Sequence, residues 1–457
     1  MTQDVKIGLE IHGYLNTERK LFCNCKAVHG EKELSPNTNI CPICSGQPGC
    51  KPMKPNREAI EKFLQTALML NCDINYFFRF QRKHYNWPDL PKGYQDTVSG
   101  AHASLPAHEG KFGGIKIIEA HLEEDPAAWN PETGCIDYNR SGLPLIEIVT
   151  YPEFTTGEEV ANWLKNLILT LSYIKTINKQ LGLKADVNIS IGQKLGENRV
   201  EVKNLHSIED IKSAIKYEIE RQKKEGTKRE TRRYDSKKGL TTVMRSKENL
   251  ADYKFIPDPD LATIKLEKPI IDKIKKFLPE TPQQKLEKLI KKHKIKDKDA
   301  KILSRNLEIV EFFESVASKI SPAFALDWVT IELLRVLNYN KKELEEVDIK
   351  PEHFIELLQA VKNKKLTELK AKQVLNQFIP KSFSIKSKLK SESTIDSKGE
   401  IEKLAKQIIK ENPKAVNDFK AGEKNSINFL IGQVMRLSNR RADFKVAKAV
   451  LEKLLKN

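Results

Sequence analysis

Two groups of residues in the first 150 positions have the types and spacing of ion-binding sites. Cys23-x-Cys25, a gap of fifteen residues and Cys41-Pro-x-Cys44 make two short thiol pairs, the pattern of a closed tetrahedral zinc that braces a loop and does not react. The chemistry is therefore sought beside it. Glu10 and His12 stand two apart in a strand-like run, so both point to one face while Leu9 and Ile11 point to the core. Glu123-Glu124-Asp125 follows His121 at the end of another such run, and Glu147 lies inside the apolar stretch Leu143–Val149. An ionised carboxylate in such a stretch is costly without a partner. Carboxylate oxygens with one imidazole and room for water suit Mg2+, a common bridge to nucleotide phosphates. The competing readings are a buried salt bridge at Glu147 and a satisfied core histidine at His12.

A third group has period two. Asp186, Asn188 and Ser190 share one face of a strand, and Arg199, Glu201 and Lys203 alternate on the next, with a polar loop through Gly192 and Gly196 between them. The pattern predicts an antiparallel hairpin that is apolar on one side and dense in functional groups on the other. Phosphate handling also needs fixed positive charge, for which Arg82-Lys83, Lys92, Lys203, Arg232-Arg233 and Arg245 are candidates; each alone reads as a surface charge. No Walker loop, kinase glycine loop or Gly-x-Ser-x-Gly elbow is present, which excludes those ATP-site and hydrolase designs.

The elements that must position these groups are of two textures. Up to about residue 260, strand-like runs at Lys6–Leu15, Gly114–Leu122 and Leu143–Thr150 mix with helical spacing at Asn56–Leu70 and Glu158–Ile174. Ser207-Ile-Glu-Asp210 resembles a capping box opening a helix to about Lys224. From Leu261 helical periodicity dominates. Pro279, Pro282 and the Lys-rich run Lys291–Lys298 predict a linker, with helices near Ala300–Ser318, Ala323–Leu337 and Pro351–Val361. A flexible Ser/Lys stretch is expected at Pro380–Gly399, and final helices at Ile401–Glu411, Asn425–Leu437 and Ala442–Lys456. The fold class is α+β: a domain with a mixed or antiparallel sheet and a zinc-braced loop, then an all-α domain and a helical tail. The boundaries fall at residues 1–285, 286–365 and 366–457.

The 457 residues suffice for several cores. Residues 1–260 hold 37 Lys+Arg against 35 Asp+Glu and residues 261–457 hold 42 against 27, so the halves carry +2 and +15 of the net +17. An extended positive surface draws a polyanion such as RNA, although many of these lysines alternate with glutamate, as they do on merely solvated helix faces. There is neither a basic-then-apolar leader nor an apolar run long enough for a membrane span. Cys50, Cys72 and Cys135 are scattered, which suits reduced thiols and a cytoplasmic location.

The motifs Ile7–His12, Leu15–Thr17, Lys20–Cys23, Pro36–Cys44, Arg82-Lys83, Pro88–Gln95, His121–Asp125, Asp137–Arg140, Pro144–Val149, Lys203–Leu205, Glu230–Asp235 and Asp258–Asp260 run in one order that resembles the B-subunit family of aspartyl/glutamyl-tRNA(Asn/Gln) amidotransferases. Phe429–Met435 is similar to the family's last helical module. The resemblance implies a two-step reaction on misacylated tRNA(Gln) or tRNA(Asn): ATP phosphorylates the tRNA-linked side-chain carboxylate, and ammonia displaces the phosphate. It further implies Mg2+ on Glu10, His12, Glu124 and Glu147, structural Zn2+ on the four cysteines, and Lys83 and Lys92 along the route of ammonia. Asp186, Asn188, Ser190 and Lys203, together with Arg233 and Arg245, are expected to receive ATP or the aminoacylated end. No glutaminase signature occurs in the chain, so the implied partners are a glutaminase A subunit of amidase type and a small C subunit.

Gly13-Tyr14, Pro126–Ala128 and Asn439–Arg441 depart from the family's pattern near the histidine, the acidic cluster and the tail. Two alternatives stand beside this reading. One is the archaeal-type E subunit, which carries a long inserted domain for which this chain has no room. The other is a non-catalytic, zinc-stabilised tRNA-binding protein, which leaves Glu147 unexplained.

Overall fold

A computed structural model describes residues 5–28, 34–178, 183–192, 198–246, 253–386, 395, 398–423 and 425–456. They fall into two compact units, Met1–Thr281 and Pro282–Asn457. In chain order the strands are β1 (Val5–Tyr14), β2 (Asp73–Ile74), β3 (Phe77–Phe78), β4 (Gln81–His84), β5 (Gln95–Thr97), β6 (Ala107–Phe112), β7 (Ile115–Glu124), β8 (Ala128–Trp129), β9 (Ile136–Asp137), β10 (Pro144–Thr150), β11 (Leu183–Ile191), β12 (Val200–Lys203), β13 (Glu230–Asp235), β14 (Leu240–Ser246), β15 (Lys254–Pro257) and β16 (Ile264–Lys265).

Twelve of these strands form one sheet in the order β14-β13-β12-β11-β1-β10-β7-β5-β4-β15, with β6 added beside β7 and β2 beside β6. All of its pairs are antiparallel except β12 with β13, so the sheet is mixed, as the sequence pattern predicts. Alternation gives it two unlike faces. Leu9, Ile11, Ala120, Leu122, Ile146, Ile148, Val187 and Ile189 turn inward and are almost fully buried. They join one core with Phe63 and Leu64 of α1 (Arg57–Met69), Leu164 and Leu167 of α2 (Gly157–Tyr173), and Ala214 and Ile215 of α3 (Ile208–Glu225). Burying a side chain of this size stabilises by roughly 1.5–3 kcal/mol, which fixes the register because a one-residue slip would expose the whole set.

The helix ends follow local chemistry. Thr156 and Glu159 exchange both bonds of a capping box at α2, whereas at α3 the Ser207 side chain accepts from the Asp210 N–H and only that half of the box forms. Aspartate is one methylene shorter than the glutamate that completes such a box.

The second unit is helical throughout. The expected linker is not one: helices span Pro282–His293 and Asp297–Leu303. Pro282 occupies the first turn, where no N–H is needed, and Leu286, Leu289, Ile290 and His293 recur at helical spacing beneath solvated lysines. The single helix expected at Ala300–Ser318 is two, broken before Leu307–Ala317, where Asn306 Oδ1 accepts from the Ile309 N–H at 3.0 Å. Ala323–Leu337 is a helix from Pro322 to Tyr339 with a π-helical turn at Trp328–Leu333. Pro351–Lys362 and Glu368–Asn376 follow. Most of the Ser/Lys stretch lies outside the described residues. Helices Lys398–Glu411, Asn425–Leu437 and Phe444–Lys456 close a small core around Ile401, Ala405, Leu430, Val434 and Leu451, and Pro413–Lys420 adds a helix that the sequence pattern did not announce. No described helix is long and apolar enough to cross a membrane.

Candidate active site

The polar face of the sheet gathers side chains from five adjacent strands. Asn188 stands opposite Glu201, Asp186 opposite Glu10, His12 opposite Glu147, and Glu147 opposite His121. Because directly paired residues share a face, the period-two pattern of each strand becomes a continuous band of ionisable groups.

Two clusters stand out in that band. Glu10, Asp186 and Glu201 bring one carboxylate oxygen each within 4.8 Å of one another. Lys203 Nζ lies 2.5 Å from Asp186 and 2.9 Å from Glu201, and Asn188 Nδ2 donates to Glu10 Oε1 at 3.0 Å. One ammonium among three carboxylates leaves a negative surplus. Burial and then the charges of Glu147 and Glu201 push the Glu10 carboxyl above its usual range, and Asn188 Oδ1 is a buried acceptor without a partner. Burial opposes the Lys203 charge, but Asp186 and Glu201 outweigh it and hold that ammonium firmly protonated. In the second cluster His12, Glu123 and Glu147 also converge within 4.8 Å. His12 Nε2 is 3.4 Å from Glu147 and 3.7 Å from Glu123, while His121 Nε2 approaches Glu147 at 3.2 Å from the other side. Burial works against protonation of His12, yet Glu147 and Glu123 bring it up to about 9. Glu147 is held well below the carboxylate range because the two imidazoles outweigh its burial.

These donors fit a hard divalent cation: carboxylate oxygens, one imidazole and an unsatisfied amide oxygen in a field short of positive charge. The cysteines fit a different ion. The Cys23, Cys25, Cys41 and Cys44 sulfurs all lie within 4.8 Å of one another, with Cys41 Sγ and Cys44 Sγ 3.8 Å apart. A tetrahedron with Zn–S of ~2.3 Å sets its sulfurs about 3.8 Å apart. Hydrogen bonding from Cys23 brings the Cys44 thiol down to about 4 against its burial, with Lys20 Nζ at 3.5 Å adding its charge.

Residues 5–272 match the family model described as the GatB/GatE catalytic domain, and residues 311–455 match the GatB domain. Proteins named as the B subunit of aspartyl/glutamyl-tRNA(Asn/Gln) amidotransferase align along nearly the whole chain. The protein from Methanococcus maripaludis strain C6 is 41% identical, covering 99% of this chain and 99% of its own. That from Methanothermobacter thermautotrophicus is 43% identical over 96% and 97%, and that from Methanocaldococcus jannaschii 42% over 99% and 98%. The chain belongs to this B-subunit family.

One family-derived grouping is corrected by the geometry. Glu124 does not join Glu10, His12 and Glu147; the pleat of β7 turns Glu123, two residues from His121, toward His12, and sends Glu124 to the opposite face. There Glu124 lies 2.5 Å from Lys92 Nζ and accepts from the Asp96 N–H at 3.0 Å. Lys92 also reaches Asp96 at 2.6 Å. Burial, followed by the charge of Glu124, raises the Asp96 carboxyl to about 8. Glu10 belongs with Asp186 and Glu201, next to Glu147 and not in the His12 cluster itself. The alternation that pairs Glu10 with His12 applies equally to His121 and Glu123, so the acid that meets His12 was legible from spacing.

The remaining residues are spread along the sheet. Lys83 holds its ammonium 5.0 Å from the Tyr253 ring centre and makes no ion pair among the described residues. Ser190 stands opposite Lys6, two positions beyond Asn188. Arg233 pairs with Lys203 in the parallel ladder and so extends the polar face, donating to Thr242 at 3.3 Å. Arg245 is opposite Thr231 in the backbone, and its side chain lies outside the described residues. Glu201, absent from the predicted ligand set, bridges the Glu10 cluster to Thr231, whose hydroxyl donates to it at 2.9 Å.

Proposed function

We propose that this chain activates the side-chain carboxylate of an amino acid wrongly esterified to tRNA, within a tRNA-dependent amidotransferase. A carboxylate oxygen of the tRNA-linked glutamate or aspartate attacks the γ-phosphorus of ATP, and ADP leaves. Ammonia then attacks the acyl carbon of the mixed anhydride, inorganic phosphate departs with its bonding pair, and a proton is released as the amide forms. His12, Glu123 and Glu147, with Glu10 alongside, would hold Mg2+, which when bound neutralises phosphate charge as the phosphoryl group transfers.

Lys203 and Arg233 supply fixed positive charge on the β12–β13 side, where Asp186, Asn188 and Ser190 complete a surface for the triphosphate. Lys92, clamped between Asp96 and Glu124, and Lys83 lie on the route assigned to ammonia. A glutaminase subunit supplies that ammonia, with a small third subunit, and the helical residues from about 366 onward contribute tRNA binding. Zn2+ on the four cysteines holds the loop beside the sheet.

The observation that carries this reading is the band of two acidic clusters meeting at Glu147. A purely RNA-binding protein has no use for a carboxylate placed between two histidines, one of them buried. The test is tRNA-dependent release of labelled ADP by the chain assembled with its glutaminase partner. Glu147→Gln is expected to lower the rate about a hundredfold or more while tRNA affinity changes little; an unchanged rate would sink the assignment.

A further inference from the structure

Beyond the ionic band, the same unit displays an aromatic array with no assigned task. Trp87 is 54% exposed and meets Trp129 edge to face, with ring centres 5.2 Å apart. Tyr85 and Tyr253, the latter 43% exposed, form a second edge-to-face pair at 5.8 Å, and the Lys83 ammonium sits over Tyr253. The Ala127 N–H donates to the Asp89 carbonyl at 2.8 Å, which fastens this segment just beyond the end of β7 that carries Glu123, so the array borders the His12–Glu123–Glu147 cluster; burial first, and then the charges of Asp89 and Glu123, hold the Tyr85 hydroxyl above its ordinary range.

The array is also anchored. Trp129 lies on the β8–β9 ribbon, opposite Ile136. That ribbon is fastened to the cysteine loop: the Asn37 N–H donates to Asp137 at 2.9 Å, the Asn37 side chain donates to the Ile136 carbonyl at 2.9 Å, and the Asn39 N–H donates to Asn139 at 2.8 Å. Ser141 donates to the Cys44 carbonyl at 2.7 Å. The ribbon that backs the exposed Trp87 indole is thus fixed by bonds outside its own hairpin, so the pair is placed, not merely tolerated.

Shape decides what it receives. The carboxylates of Asp89, Glu123 and Asp125 around Tyr85 and the Lys83 ammonium over Tyr253 offset one another, so the array presents ring surface more than charge. A flat, neutral group suits the aromatic end, and stacking on aromatic rings recognises any base through its π-face. The acyl group to be activated hangs by an ester from the last ribose of tRNA, so the base on that ribose must lie a short tether away from the cluster. We infer that Trp87, backed by Trp129, stacks the unpaired base of the terminal, aminoacylated nucleotide of tRNA, and thereby holds the acyl carboxylate at the ion-binding cluster. This rests on the proposed activation reaction.

The experiment uses the full chain with its glutaminase partner. Trp87→Ala is expected to raise the KM for misacylated tRNA about tenfold with the KM for ATP unchanged, and Trp87→Phe, which keeps a ring, to restore most of the loss. Binding is read separately from turnover. The other two tryptophans, Trp163 and Trp328, are each 5% exposed, so quenching of the chain's intrinsic fluorescence reports Trp87 and the partly buried Trp129 beside it. Intact tRNA is expected to quench without ATP present, while tRNA lacking its terminal nucleotide, or ATP alone, does not. Quenching by ATP together with a raised ATP KM in Trp87→Ala would give the platform to the adenine of ATP and overturn the inference, as would equal quenching by shortened tRNA. Absence of tRNA-dependent ADP release by the unaltered complex would instead overturn the proposed activation reaction.

Discussion

At the scale of single residues, adjacent glutamates separate two functions. Glu123 faces His12 and Glu147, and Glu124 faces Lys92 and Asp96, because successive side chains of a strand point to opposite sides. Glu123→Gln is therefore expected to weaken Mn2+ binding, measured as a substitute for Mg2+ by titration calorimetry, by about tenfold or more, and Glu124→Gln by less than about twofold. Equal losses from both would contradict the pleat-based assignment. The gathering of the four cysteines and the shared face of Glu10 and His12 were legible in the sequence because each rests on spacing within one segment. The split between clusters was not, since it depends on register: Glu201 meets Glu10 only because β12 pairs with β11 and β11 with β1 at particular residues.

At the scale of elements, α3 is bound to the sheet by a polar junction that no sequence pattern announced. Glu218 is fully buried and accepts from Arg221 at 2.8 Å, from Gln222 at 3.0 Å and from the Thr241 hydroxyl, and Arg232 Nε lies 3.2 Å away. Arg232 and Arg233 looked alike in the sequence; alternation sends the first to this junction and the second to the polar face. Although burial opposes its charge, hydrogen bonds from Arg221, Thr241 and Gln222 lower the Glu218 carboxyl below its ordinary value of 4.5. A depressed carboxyl contributes stability that is fully present above the unfolded-state value and is lost as pH falls through the folded-state value. Glu218→Ala is expected to destabilise the first unit at pH 7 by about 3 kcal/mol, the low end for a broken buried pair, because Glu230 still faces both arginines. Denaturant unfolding is expected to show that gap closing as pH falls below the ordinary carboxyl value of 4.5, and a penalty independent of pH would mean that packing, not charge, is what the glutamate supplies. The long strands and α1 to α3 were readable from periodicity, whereas the linker expectation failed because a lysine run was weighed as composition when its apolar residues kept helical spacing.

At the scale of the molecule, charge is unevenly distributed along the chain. The residues from 261 onward carry +15 of the net +17, and some of their lysines pair with glutamates one helical turn away, as Lys406 does with Glu402 and Lys448 with Glu452. Such pairs are locally neutral and attract no polyanion, and the net of +15 already subtracts them, so the footprint falls to the lysines without an acidic partner. Lys414 and Lys420 differ: both are exposed on the Pro413–Lys420 helix and make no ion pair among the described residues. If the second unit contributes to tRNA binding through phosphate contacts, each such lysine releases close to one counterion. Lys414→Ala combined with Lys420→Ala is then expected to flatten the slope of log affinity against log salt by about 1 to 2, equally for asparagine and glutamine tRNA, with the KM for ATP unaltered. The paired lysines serve as the control, since Lys406→Ala together with Glu402→Ala removes as many side chains and no net charge. An unchanged slope in the Lys414/Lys420 double variant would assign these lysines to solvation alone, and the tRNA would then have to be gripped by other surfaces of the chain.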